Sequence, residues 1–161
     1  MRNWGRPEIS IHRAGVADCD TLSDIHSAAF RRGWSGAEFE ALLVQPGVSA
    51  LVAQYRGTFG ARAPAGFVLY RQVGDEAEIL SVAVVEGCRR RGIARRLLEE
   101  ALRQLYREGV ARIHLEVDDA NQAALSLYRG MEFRESGRRA GYYTQGREWP
   151  GGALVMLRQL R

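Results

Sequence analysis

One short stretch concentrates groups able to bind an anion: Arg89-Arg90-Arg91-Gly92-Ile93-Ala94. The hydrophobic period changes across it. Before it, Ala77 to Val85 reads as a strand; after it, Ile93, Leu97, Leu98, Ala101, Leu102 and Leu105 recur at helical spacing. A strand-loop-helix junction of this kind turns several backbone N–H groups toward one point, with the positive end of the helix dipole behind them. That arrangement suits a pyrophosphate. Gly92 lets a phosphate approach without a Cβ, and Ala94 is the next smallest choice at a crowded position. The run lacks the Gly-Lys-Ser/Thr ending of a P-loop and is not a full dinucleotide fingerprint. An arginine run alone reads more simply as a solvated loop. Its place before a helix, with small residues beside it, favours the anion site.

The elements that must carry this junction follow from the rest of the chain. Glu8 to His12 alternates as a first strand, and Asp18 or Asp20 is placed to cap a helix bearing Leu22, Ile25, Ala29 and Phe30. Ser35-Gly36-Ala37-Glu38 is a capping box opening a second helix through Leu43, ended by Pro46-Gly47. Ser49 to Tyr55 and Gly66 to Gln72 read as strands, and Val73-Gly74-Asp75-Glu76 as a turn into the next one. Gly109 stops the long helix; Ile113, Leu115 and Val117 alternate as a strand; Asn121 to Arg129 is helical. Two strands close the chain, the first starting near Phe133 and the second ending with Leu154 to Leu157. Strands meander first and then alternate with helices, which predicts an α+β (mixed α/β) fold around one mixed sheet.

Composition bounds the function. With 161 residues, 46% hydrophobic and 26% charged, a single globular domain over residues 1–161 is expected. No apolar run approaches the ~18 residues of a membrane span. Met1 to Ser10 has no apolar core, so no signal peptide and a cytoplasmic location are expected. Cys19 and Cys88 show no metal-type spacing and His12, His26 and His114 are scattered, so neither a disulfide framework nor a metal site is expected. All 23 basic residues are arginine, against 19 acidic residues, for a net charge of +4. Codon bias alone would give such a content, and arginine's forked hydrogen bonds to phosphate are compatible with it. The balance fits an anionic ligand or partner without implying DNA.

The run Ile79-Leu80-Ser81-Val82-Ala83-Val84, followed by Arg-x-x-Gly-x-Ala, resembles the acetyl-CoA motif of the GNAT N-acetyltransferase superfamily. Leu115-Glu116-Val117-x-x-x-Asn121-x-x-Ala124-x-x-Leu127-Tyr128 is similar to that superfamily's second CoA-side motif. Gly33-Trp34-Ser35, Leu-Glu-Val and Tyr142-Tyr143 look like its RimI branch of ribosomal-protein-alanine N-acetyltransferases. The resemblance is strong from Glu78 to Tyr143 and thin before Gly33.

The resemblance implies a mostly antiparallel sheet of about seven strands, flanked by helices and splayed between its two central strands. It implies acetyl-CoA as co-substrate, with Val82, Ala83 and Val84 offering backbone groups to the acetyl and pantetheine portion. Arg89, Arg90, Arg91, Gly92, Ile93 and Ala94 would cradle the pyrophosphate, and Asn121 would contact the same molecule. Glu116 matches the family's general base and Tyr128 its general acid. Trp34, Tyr142 and Tyr143 are the candidates to face the acceptor. The chemistry is consistent: an α-ammonium must lose a proton before its nitrogen attacks a thioester, and a phenol can donate toward the departing thiolate. Plainer roles stay open for each residue. Glu116 suits an edge-strand carboxylate, Tyr128 a core aromatic, Asn121 a helix N-cap, and Trp34, Tyr142 and Tyr143 packing. Cys88 has no His near it in sequence, so a covalent acetyl-enzyme is not expected.

Three positions depart from the family pattern. Arg89 stands for a frequent Gln, Ala94 for a frequent Gly, and Glu132 for the Gly that often precedes the residue matching Phe133. The last departure predicts that the left-handed turn after the second motif's helix moves to Gly130. The expected activity is acetyl-CoA-dependent acetylation of the N-terminal alanine of a small-subunit ribosomal protein, in proximity to ribosome or RNA. Two alternatives are a GNAT enzyme for a small amine or aminoacyl-tRNA, and a non-catalytic CoA-sensing RNA- or ribosome-binding protein.

Overall fold

The structure, a computed structural model, describes residues 8–57, 60–139 and 152–161. Along the chain run β1 (Glu8–Arg13), α1 (Cys19–Ala29), α2 (Gly36–Leu43), β2 (Val48–Arg56), β3 (Arg62–Val73), β4 (Glu76–Val84), α3 (Ile93–Arg107), β5 (Arg112–Asp118), α4 (Gln122–Gly130), β6 (Arg134–Arg139) and β7 (Ala153–Gln159). Single 3-10 turns occupy Val16–Asp18 and Glu86–Cys88. The seven strands form one sheet in the order β1-β2-β3-β4-β5-β7-β6. β1–β2, β5–β7 and β6–β7 are antiparallel, whereas β4–β5 is parallel. The mixed, mostly antiparallel α+β sheet expected from the sequence is therefore the observed one. The parallel ladder runs from Glu76 opposite Arg112 to Ile79 opposite Leu115. It ends before its strands do, as the expected splay requires.

Two compact units divide the chain. The first comprises the described residues up to Leu69 together with Ser81–Ala101. Here β1 pairs with β2 from Glu8 opposite Arg56 to Arg13 opposite Leu51. α2 begins as its residue types dictate: Glu38 N–H donates to Ser35 Oγ at 3.1 Å, and Ser35 N–H to Glu38 Oε2 at 3.3 Å. Leu22, Phe39, Ala50, Phe67, Leu97 and Leu98 are buried. Each large side chain among them contributes roughly 1.5–3 kcal/mol by leaving water. Two local expectations need correction. Asp18 occupies the N-cap position of α1, but its carboxylate accepts from Gly15 N–H at 2.8 Å and closes the preceding 3-10 turn instead. α1 also stops at Ala29, leaving Phe30 extended.

The second unit comprises Tyr70–Leu80 and the described residues from Leu102 onward. β5 alternates cleanly: Ile113, Leu115 and Val117 are buried, while His114, Glu116 and Asp118 share the opposite, half-buried face. β7 pairs with β5 on one side and β6 on the other, with a register shift between Glu135 and Gly137. α4 is capped by Asn121, whose Oδ1 accepts from Ala124 N–H at 3.1 Å. Its other end corrects a further expectation. Gly130 is the last helical residue, and Glu132 takes the left-handed conformation at φ 68°. Glu132 N–H donates to Arg129 C=O at 3.1 Å and Phe133 N–H to Tyr128 C=O at 3.0 Å. This is the Schellman closure, built on a glutamate.

Candidate active site

In the first unit, β4 ends with Val82 half-buried, Ala83 buried and Val84 half-buried. A Cβ on Gly66 would meet Ala83 O at 2.7 Å, so only glycine lets β3 pass this close to the strand. The sequence places Gly66 at the start of a strand, whereas it lies inside β3 and its role is this close approach. Ser81, just before, is buried, and its Oγ has no hydrogen-bond partner among the described residues.

The chain leaves β4 through the 3-10 turn, with Val85 N–H held by Ala65 C=O at 2.8 Å. The arginine loop follows. Arg90 lies at φ 63° and Gly92 at φ 73°, both left-handed. Such alternation of backbone hand turns successive N–H groups inward. α3 starts directly at Ile93, and Gly92 C=O accepts its first-turn bond from Arg96 N–H at 3.0 Å. A glycine offers no side chain to cap the remaining first-turn N–H groups. A Cβ on Gly92 would meet no atom within 4 Å. The approach is open where a phosphate would come.

Arg89, Arg90 and Arg91 are exposed. Arg89 Nε donates to Val84 C=O at 3.4 Å, and the Arg91 guanidinium stands 5.6 Å over the Tyr55 ring. Ile93 is buried and Ala94 half-buried, so they anchor and shape the junction.

In the second unit, Glu116 lies on β5 opposite Val155 of β7, between buried Leu115 and Val117. On the same face His114 Nε2 stands 3.9 Å from Glu78 Oε2, which also accepts from Arg71 at 2.9 Å. Asp118 Oδ1 is occupied by Ala120 N–H at 2.9 Å, which shapes the turn into α4. The side-chain oxygen of Asn121 is engaged as the N-cap of α4. Tyr128 is only 6% exposed, and burial pushes its phenol up to about 12. It is therefore a neutral hydroxyl, a donor, near neutral pH.

Trp34 is more tightly built in than its sequence context indicated. Its ring stacks on His26 at 4.4 Å, its backbone N–H donates to His26 Nδ1 at 3.1 Å, and its backbone C=O accepts from Ser23 Oγ at 2.7 Å. His26 is buried among Phe30, Phe39 and Phe67. The ring of Trp34 stays half-buried. Tyr142 and Tyr143 lie outside the described residues. Among the described residues no group of three His, Cys, Asp or Glu side chains could hold a metal ion. Among them, too, no helix is long and apolar enough to cross a membrane.

The chain is similar to known proteins. Residues 19–133 match the Acetyltransferase (GNAT) family. The ribosomal protein bS18-alanine N-acetyltransferase of Escherichia coli (strain K12) is 41% identical over 94 residues, which is 57% of this chain and 62% of that relative's length. The N-alpha-acetyltransferase RimI of Mycobacterium tuberculosis (strain H37Rv) is 37% identical over 114 residues, covering 68% of this chain and 67% of that protein. The crystal structure of the ribosomal-protein-S18-alanine N-acetyltransferase from Escherichia coli superposes with a TM-score of 0.82 at 27% identity, over 95% of this chain and 94% of that one.

Proposed function

The chain belongs to the Acetyltransferase (GNAT) family, and we propose that it moves an acetyl group from acetyl-CoA to a protein's α-amine, the N-terminal alanine of a small-subunit ribosomal protein. The observation that carries this reading is the β4–α3 junction, where left-handed Gly92 presents an open approach to the first turn of α3. The names of the two relatives agree with it, since both acetylate α-amines.

Arg89 to Ala94 would hold the pyrophosphate on backbone N–H groups, with the arginine side chains adding charge. Val82 to Val84 would align the acetyl arm by strand-like hydrogen bonds. Glu116 would accept a proton from the α-ammonium, whose ordinary pKa is about 8. The freed nitrogen then forms the C–N bond as the C–S bond breaks, and the sulfur departs to become the CoA thiol. Tyr128 would donate to that sulfur. A phenol at about 12 is a reluctant acid toward a thiolate, since a thiol's ordinary pKa is about 8.5. Its main contribution is then a hydrogen bond to developing negative charge, with the second amine proton completing the thiol. Proximity of the two bound reactants supplies much of the rest.

Mass spectrometry tests the reading. An alanine-starting ribosomal peptide is incubated with protein and acetyl-CoA, beside an N-terminally blocked copy containing internal lysines. A single acetyl on the free peptide and none on the blocked one is expected. Acetylation of neither, with acetyl-CoA still bound, would contradict it and leave a small amine, an aminoacyl-tRNA or a non-catalytic role.

A further inference from the structure

We propose that Arg158 is a positioning residue for Tyr128, acting through the last turn of α4; this rests on the reading of Tyr128 as the donor to the departing sulfur. The last turn of α4 closes on Glu132, which adopts φ 68°. Glycine takes that conformation freely, and a side chain takes it only against steric resistance. The closure fixes Tyr128 twice. Its C=O accepts from Phe133 N–H at 3.0 Å and from Met131 N–H at 3.1 Å. Its ring meets the edge of Phe133, with centroids 5.8 Å apart. Unless Glu132 stays left-handed, Phe133 cannot be in place for either contact.

Arg158 supplies what glycine would have made unnecessary. Its Nη1 donates to Met131 C=O at 2.8 Å, and its Nη2 stands 3.4 Å from Glu132 Oε2. One planar guanidinium thus hydrogen-bonds the residue that ends the helix and pairs with the exposed carboxylate of the left-handed residue after it. The side chain is only 25% exposed, and its Nε is buried with no hydrogen-bond partner among the described residues. Burying that one donor unmet is unfavourable, and the two terminal contacts offset the cost.

The mount is stiff as well. Arg158 sits on β7 opposite Ile113 of β5, and Val155 of the same strand lies opposite Glu116. β7 is paired on its other side by β6. One doubly paired strand is therefore the common reference for the carboxylate on β5 and, through Arg158, for the phenol on α4.

The test is a double-mutant cycle on the full chain, reading kcat and KM for both substrates with thermal melts alongside. R158M should lower kcat about tenfold, since small misplacements of a reacting group are costly, and leave the KM for acetyl-CoA in place. In a Y128F background R158M should cost nothing further, because the group it positions is already gone. E132G should restore most of the kcat that R158M loses, because glycine holds the left-handed turn without help. Should R158M fail to fold, E132Q, which removes only the charge pair, should show a smaller loss with the same non-additivity. Equal loss in the wild-type and Y128F backgrounds, or no rescue by E132G, would overturn the proposal alone. Y128F with wild-type kcat would overturn the reading of Tyr128 and this proposal with it.

Discussion

The β4–α3 junction and the β5–α4 junction both lead from a strand into a helix, yet they leave the helix N-terminus in opposite states. At α3 the residue before the helix is Gly92, which has no side chain to offer the first-turn N–H groups. At α4 it is Asn121, which takes Ala124 N–H, after Asp118 has taken Ala120 N–H. An uncapped N-terminus with a left-handed approach keeps N–H groups available to an anion; a capped one has spent them within the fold. On the proposed reading the first junction would carry its chemistry in the backbone. The second would carry it in two side chains, Glu116 and Tyr128, with the cap of Asn121 fixing the start of the helix that bears Tyr128. Backbone sites should resist side-chain changes but fail on a lost glycine, and side-chain sites should do the reverse.

The largest effect that would break this contrast is at Glu116. E116Q should lower kcat by roughly a hundredfold or more, the usual scale for losing a general base, with acetyl-CoA affinity unmoved in a binding titration. Equal loss of both would remove Glu116 from the base role. Next is Gly92. G92V puts a β-branched side chain at φ 73°, in front of the open approach. It should weaken acetyl-CoA binding about 10- to 100-fold, a strain and access penalty of order 1–3 kcal/mol, while kcat at saturation changes little. Unchanged affinity would contradict a backbone cradle.

Tyr128 gives a pH signature of similar or smaller size. Its folded-state pKa, about 12, lies above the ordinary 10. The neutral phenol is therefore the form the fold prefers. That share of stability is complete below the ordinary value and is lost as pH rises through the folded one. By linkage it amounts to no more than about 2–3 kcal/mol. Denaturation from about pH 9 to about 12 should show it in wild type and show a flatter slope in Y128F. Parallel slopes would mean the phenol is not held neutral by burial. The smallest effect sharpens the contrast. N121A should cost about 1 kcal/mol of stability through the lost cap, visible in a urea melt, and lower acetyl-CoA affinity less than G92V does.

What was legible in the sequence divides between local patterns and contacts between distant positions. The capping box at Ser35–Glu38, the cap at Asn121 and the stripe of α3 depend on residues within a few positions of one another, and residue types state them outright. The arginine-glycine loop is local too, so the need for a residue without a Cβ at Gly92 was legible, although its left-handed conformation was not. Contacts between distant positions were not legible. Arg158 and Glu132 meet because β7 returns beside β5, so Gly130 looked the better place for the left-handed turn when only residue preference was weighed. Asp18 likewise had two N–H groups within reach, and the 3-10 turn won over α1. The clamp of His26 and Ser23 on Trp34 depends on how the α1–α2 loop folds back, which no periodicity encodes.

If one junction binds and the other reacts, acetyl-CoA dissociation constants and single-turnover rates for G92V and E116Q, measured side by side, should cross. G92V should lose affinity but keep its rate once saturated, and E116Q should keep affinity but lose its rate. If both variants lose affinity and rate in the same proportion, the division between the two junctions is wrong.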